Sequence, residues 1–528
     1  MALGLLRGFT VPLTRVLFIG VDAWDKDLVL QWAQAGLLPT VRRFLERGAW
    51  GLTANPEGFY VGSVWPSFWT GLSPGRHGRY CYAQIRTGTY QHRRVTPLDT
   101  AGRPFWEALS QAGRRVAIID VPKTAPSQQI NGLQVVDWGT HDPEIGFCAS
   151  PPSLAGEIEA PFGPHPVGPC DAPVRGPAEL ASLRDALLRG VKTKSELTGH
   201  FLSQGGWDLF LTVFAESHCV GHQFWHVHDP SHPRHDPALA NALGDPMKDV
   251  YVAIDAEIGR LLARVGDDTA VFVLASHGMG PHYDGTFLLR EILDRLQRAE
   301  VARPARVTAR ALEWAWSGVP GPVRRLLRPL RARAKANLGH ASSLPNLAGH
   351  RYFQTPNNDV YGGIRINLEG REPHGRVRPG PEYDRICRDL ARDLLALVNS
   401  GTGRPVVRRV LRTADLYRGE RVRDLPDLVV EWDRETPIST IHSPKTGTIH
   451  GAYQGTRTGD HKLHGLLLAA GPAIVPGRLS EPVSVMQLAA TVASRLGVQL
   501  ADLDGAPVEE LTRPAEPASG AGAAVGAR

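Results

Sequence analysis

The feature that most constrains the fold is a recurring one: short, nearly uninterrupted apolar runs, most of them closed by a polar or charged residue. Arg15 to Val21, Arg115 to Asp120, Leu209 to Phe214, Thr269 to Ala275 and Leu463 to Ala470 are rich in Val, Ile, Leu and Phe, and are too short for ordinary helices. A strand without polar alternation is one buried on both faces. Between these runs lie longer stretches with apolar residues at helical spacing, such as Leu180 to Leu202 and Lys248 to Val265. Strands alternating with helices predict a mostly parallel central sheet covered by helices on both faces, an α/β sandwich of three layers. In such sheets the chemistry gathers beyond the carboxyl ends of the strands. Asp22, the segment Glu216 to His222, and Ser276 with His277 each fall just after a predicted strand, so three segments distant in sequence can meet in one crevice.

Composition narrows the class. The 528 residues, 42% hydrophobic and 21% charged, are ordinary for a globular chain with a large core. The net charge of +6 is modest, with Lys and Arg concentrated only between Arg303 and Lys335, so no nucleic-acid partner is indicated. Five cysteines (Cys81, Cys148, Cys170, Cys219, Cys387) are odd in number and form no CxxC pair, which argues against a disulfide framework and against a cysteine-based zinc knot. No run approaches the roughly 20 apolar residues of a membrane span. The amino terminus, despite Arg7 and Arg15, lacks the apolar run of a signal segment. The expectation is a cytoplasmic protein without a membrane anchor.

The alternation breaks between Ala302 and His350, where Pro304, Pro320, Pro322 and Pro329 interrupt a basic, Trp-containing sequence. This divides the chain into a first part of the core, 1–301, a basic insertion or cap, 302–350, a second part, 351–512, and an Ala/Gly/Pro-rich tail, 513–528, of disordered composition. The insertion reads either as a solvated helical hairpin on one edge of the core or as a lid attracting an anionic substrate.

Several segments carry residues suited to chemistry. Asp22 closes a strand, where a carboxylate is a hard ligand for a divalent cation as well as an adequate turn residue. Ser63 is read as lying just before an aromatic-rich helix with Pro66 in its first turn, a place that suits an N-cap and also an anion-binding helix end. His218 and His222 stand at i and i+4, which puts both imidazoles on one helical face, an arrangement common for zinc. His226 and His228 nearby are read as structural. Ser276, His277 and Gly278 follow one strand, and Gly459-Asp460-His461 precedes another.

In order and surroundings these segments resemble the alkaline phosphatase superfamily, specifically its type I phosphodiesterase/nucleotide pyrophosphatase branch, over nearly the whole chain. Asp22, Ser63, Thr70 to Gly78, His222, His277-Gly278 and His461 carry the resemblance, supported by Arg365 to Pro373, Leu425 to Val430 and Asp504-Gly505. Each motif alone is unspecific; the ordered series is not. The resemblance implies an alkaline-phosphatase-like three-layer sandwich with an inserted cap region. It also implies a bimetallic site in which the Ser63 hydroxyl attacks phosphorus in line and a metal-activated water releases the phosphorylated serine. Asp22, Ser63 and His277 would belong to one metal, and His218, His222 and His461 to the other. The chain departs from the branch at three places: His218 and Ser276 stand where the branch has Asp, and Val61 occupies the expected place of the nucleophile, two residues before Ser63.

The expected function is metal-dependent hydrolysis of phosphodiesters, nucleotide pyrophosphates or related phosphate esters, with a small anionic substrate. Histidine-rich ligation favours zinc, with manganese or iron as alternatives. Three imidazoles, His218, His222 and His461, suit a catalytic zinc with an open fourth position. The other set, Asp22, Ser276, His277 and Ser63, is one charge poorer unless Glu216, Asp284 or His282 swings in, so one tight and one weak metal are expected. A catalytically degenerate member that binds an anionic ligand or partner is the alternative reading, and a phosphoglycerate mutase-like phosphotransferase a minor one. No Cys precedes a Pro/Ser-x-Arg segment near Ser63, which speaks against a sulfatase.

Overall fold

The computed structural model of the protein describes residues 15–168, 176–299, 347–358 and 360–512. Most of the basic insertion, the Arg303 to Lys335 concentration within it, Cys170 and the tail 513–528 lie outside the described residues. Among the described residues no helix is long and apolar enough to cross a membrane, and the four described cysteines are all free.

The described residues form two compact units, one of those within 15–79, 96–281 and 456–512, the other of those within 80–95 and 282–455. Residues 351–455, grouped with the core on sequence, therefore pack within the second unit. The first unit is built on a mixed sheet whose order is Gly477–Arg478, Ala49–Ala54, Leu466–Ala470, Thr269–Ala275, Arg15–Val21, Leu209–Phe214, Val116–Ile119, Gly132–Val136 and Cys148–Ser150. From Thr269–Ala275 through Gly132–Val136 neighbouring strands are parallel, whereas Leu466–Ala470 and Cys148–Ser150 run antiparallel to their neighbours. The expectation of a mostly parallel sheet holds.

The uninterrupted apolar runs are explained by the two faces. Along Arg15–Val21, Leu17, Ile19 and Val21 enter one core, with Val191, Val250 and Ile254 from the helices Pro177–Leu202 and Pro246–Leu262. Val16 and Phe18 enter the other, with Phe68, Trp106 and Leu488 from Tyr60–Thr70, Phe105–Gln111 and Val485–Arg495. Alternate side chains point to opposite faces, so both sets must be apolar where helices cover both faces.

The second unit has an antiparallel sheet of Tyr352–Thr355, Tyr361–Ile366, Leu428–Trp432 and Val407–Arg412, with the helix Pro381–Leu395 contributing to the same core. Here the motifs Arg365 to Pro373 and Leu425 to Val430 prove architectural. Half-buried Arg371 pairs with buried Asp427 at 2.6 Å and with buried Glu372 at 2.9 Å, and buried Arg365 pairs with Glu372 at 2.7 Å. A buried charge persists only when paired and hydrogen-bonded in this way.

Candidate metal centre

Strand register brings the site together. Val21 lies level with Phe214 on one side and with Ala275 on the other, so Asp22, the Ala215-Glu216 turn and Ser276 leave the sheet side by side at its carboxyl edge. The chain turns sharply there, with Ala23 at φ 52, a left-handed conformation uncommon outside glycine and concentrated at functional sites. Helix Glu216–His228 starts at once and carries His218 and His222 on one face. His461 arrives from the far end of the sequence on a two-stranded ribbon, Gly278–Pro281 with Gly459–Lys462, in which Met279 is paired with His461.

Asp22 accepts three hydrogen bonds from buried donors. Its Oδ1 accepts the Trp65 indole N–H and the Ser276 hydroxyl, each at 2.9 Å, and its Oδ2 accepts Nδ1–H of His218 at 2.8 Å. Ser276 Oγ in turn accepts the Ala23 N–H at 3.2 Å. Trp65 reaches Asp22 because residue 20 has no side chain: a Cβ there would lie 2.7 Å from the Trp65 ring. Burial alone would raise the Asp22 carboxyl, but His218, His277 and the Trp65 donor outweigh it and hold it well below the usual carboxylate range.

The histidines meet edge to edge. Nδ1–H of His222 donates to the carbonyl of Gly459 at 2.7 Å, and Nε2 of His222 lies 2.9 Å from Nε2 of His218. Gly459 presses on the helix so closely that a Cβ would stand 2.1 Å from the carbonyl oxygen of Gly221. The His461 ring lies 4.7 Å from that of His218 and 4.6 Å from that of His222, and stacks on His277 at 4.4 Å. Burial pushes His218 down to about 3 and holds His222 and His461 well below the usual imidazole range. All three are neutral at physiological pH, as a metal ligand must be.

Carboxylate and carbonyl can only accept, so both Nδ1 atoms carry the protons and both Nε2 atoms present bare lone pairs to each other. That arrangement fits a divalent cation shared by the imidazoles; ligating histidines ordinarily donate their other N–H to a carboxylate or carbonyl in this manner.

Ser63 is placed differently from the sequence expectation. The helix begins at Tyr60 rather than after Ser63, and Pro66 sits in its interior. Ser63 N–H bonds to the Phe59 carbonyl at 3.1 Å and its hydroxyl donates to the same oxygen at 2.7 Å. Short polar side chains inside helices often bond back in this way, and the stretch Phe59 to Trp69 has no capping residue to mark its true start. The Thr70 to Gly78 motif is likewise spent on architecture: Thr70 Oγ1 donates to the Pro66 carbonyl at 2.6 Å, and His77 bridges Ser67 and the Arg79 N–H at 2.9 and 3.0 Å. His226 and His228 contact Thr458 and Asp245, in keeping with structural roles.

Sequence reasoning missed His141 and Asp460. His141 stacks on His218 at 3.6 Å, and its ligand atoms group with those of His218 and His222 within 4.8 Å, as those of Asp460 do with His222 and His461. His141 lies shortly after the strand Gly132–Val136, the same strand-end rule that singled out Asp22.

A largely parallel sheet with a buried carboxylate and a histidine cluster at its carboxyl edge is an alkaline-phosphatase-like α/β arrangement. The family model for type I phosphodiesterase/nucleotide pyrophosphatase matches residues 16–459, and the chain belongs to that family. No curated protein matches the sequence. Among solved structures, the wild-type alkaline phosphatase PafA is similar in fold, with a TM-score of 0.50 and 14% identity over 96% of this chain and 100% of that one. Phosphonoacetate hydrolase from Sinorhizobium meliloti 1021, in complex with phosphonoformate, has 14% identity over 92% and 97% and a TM-score of 0.47. Murine ectonucleotide pyrophosphatase/phosphodiesterase 5, an inactive variant in complex with AMP, has 12% identity over 93% and 97% and a TM-score of 0.46.

Proposed function

We propose that the protein hydrolyses phosphodiesters, nucleotide pyrophosphates or related small phosphate esters in a reaction that depends on a divalent metal, with His218, His222 and His461 as its ligands. The observation that carries this reading is the approach of the His218 and His222 Nε2 atoms to 2.9 Å, with each ring held by a hydrogen bond at its own Nδ1. All-imidazole ligation favours zinc. Such an ion supplies charge neutralisation and polarisation of the phosphoryl group. Family membership supports the ester class. Ser63 is the hydroxyl proposed as nucleophile; to serve, it must give up its bond to the Phe59 carbonyl.

A second reading, an anion-binding member without turnover, draws on that same Ser63 bond and on the loss of two acidic positions. One experiment separates the two. Metal-stripped protein is assayed with bis-p-nitrophenyl phosphate before and after addition of zinc or manganese. Restored turnover supports the hydrolase, whereas calorimetric binding of the ester without product formation supports the binder.

A further inference from the structure

We infer that Asp22 is not a metal ligand in this protein but the outer carboxylate that orients His218, and that His218 and Ser276 together make the centre mononuclear. This inference rests on the reading of His218, His222 and His461 as ligands and goes beyond it.

A carboxylate offers about four lone-pair directions. Trp65 and Ser276 take those of Oδ1, at 2.9 Å each, and His218 takes one of Oδ2 at 2.8 Å. The donors are themselves buried and held: Trp65 by the space at Gly20, Ser276 by the Ala23 N–H at 3.2 Å, and His218 by the helix Glu216–His228. Nothing in that set would have to move for Asp22 to steer His218, whereas direct ligation could use only the one remaining lone pair of Oδ2.

The two departures from the family pattern act as one change. An Asp at 218 in contact with Asp22 would set carboxylate against carboxylate, which a cation or a shared proton must neutralise. His218 offers an N–H instead. An Asp at 276 would add another negative charge next to Oδ1, and Ser276 offers an O–H. Both substitutions thus remove a charge that called for a second cation and supply a donor that satisfies Asp22 without one. The result is a carboxylate–histidine–metal relay, Asp22 to His218 Nδ1, with His218 Nε2 facing the ligand space.

The test uses the full-length protein, stripped of metal and titrated calorimetrically with zinc against a competing chelator, with cobalt(II) absorption as a report on the ligand field. One ion per chain is expected. Asp22→Asn should keep that stoichiometry, weaken affinity about 10- to 100-fold, the range for loss of an outer-shell partner, and shift the cobalt bands. Trp65→Phe, which removes one donor to Asp22 and leaves a ring in place, should weaken affinity less and likewise keep one ion; it serves if Asp22→Asn does not fold. The paired change His218→Asp with Ser276→Asp should raise the stoichiometry to two. Two ions in the wild type, one of them lost in Asp22→Asn, would overturn the inference. So would a single ion with affinity and cobalt spectrum unchanged in Asp22→Asn and Trp65→Phe. A wild-type protein that binds no zinc, or binds one ion indifferent to His222→Ala, would instead overturn the ligand reading beneath it.

Discussion

His218 and His222 face each other through their Nε2 atoms across 2.9 Å, while their Nδ1 atoms are occupied by Asp22 and Gly459. Neither acceptor can return a proton, so the tautomers are fixed from behind and the two lone pairs are directed into one space. One helical turn supplies both rings, and two unrelated segments of chain fix their orientation.

Chelation follows directly from this pair. Prolonged treatment with a strong chelator should abolish phosphodiester turnover, and zinc or manganese should restore it. His222→Ala should lose both the bound ion and the restoration, as measured by metal analysis of the gel-filtered protein. Full activity in verified metal-free protein would rule the proposal out.

Ser63 gives a prediction with two separate readouts. Its hydroxyl makes one neutral bond within its own helix, so Ser63→Ala should cost no more than about 1 kcal/mol of stability. If the hydroxyl is the nucleophile, turnover should nevertheless fall by at least about 10³-fold. Near-normal turnover in a folded Ser63→Ala protein would exclude the covalent route.

The buried imidazoles set a pH dependence. Burial lowers His218 to about 3 from an ordinary value near 6.5 and holds His222 and His461 well down as well. Between those limits the unfolded chain binds protons that the folded chain does not, so stability rises with pH through the window and is lost as pH falls. The thermal midpoint of metal-free protein should therefore be flat above about pH 7 and decline progressively below about 6.5. A midpoint independent of pH between 7 and 4 would contradict the neutral, buried assignment.

Gly459 should tolerate no side chain. A Cβ there meets the Gly221 carbonyl oxygen at 2.1 Å, and the strain falls on the strand that supplies the acceptor for His222. Gly459→Ala should destabilise the protein by about 1–3 kcal/mol and weaken zinc binding. Calorimetry and thermal unfolding would expose the error if both were unchanged.

Much of this centre was legible in the sequence for a simple reason. Strands buried on both faces leave uninterrupted apolar runs, and the polar residue that closes each run lies at the sheet edge where sites form. Asp22 and Ser276 were located in that way, and the spacing of His218 and His222 gave a shared helical face. What the sequence withheld is set by long-range register. The bond from Ser276 to Asp22 joins residues 254 positions apart, and no local pattern announces it. The start of the Tyr60–Thr70 helix was misplaced because its cap residue, Phe59, makes no side-chain cap bond, so Ser63, the first small polar residue, looked like the boundary.

The bond from His222 to Gly459 spans 237 positions, and this bears on the order in which the protein is made. The histidine helix leaves the ribosome long before the carbonyl that aligns it has been synthesised. A chain ending ahead of residue 459 would lack the acceptor that fixes the His222 ring, so the aligned pair exists only after that residue has been made.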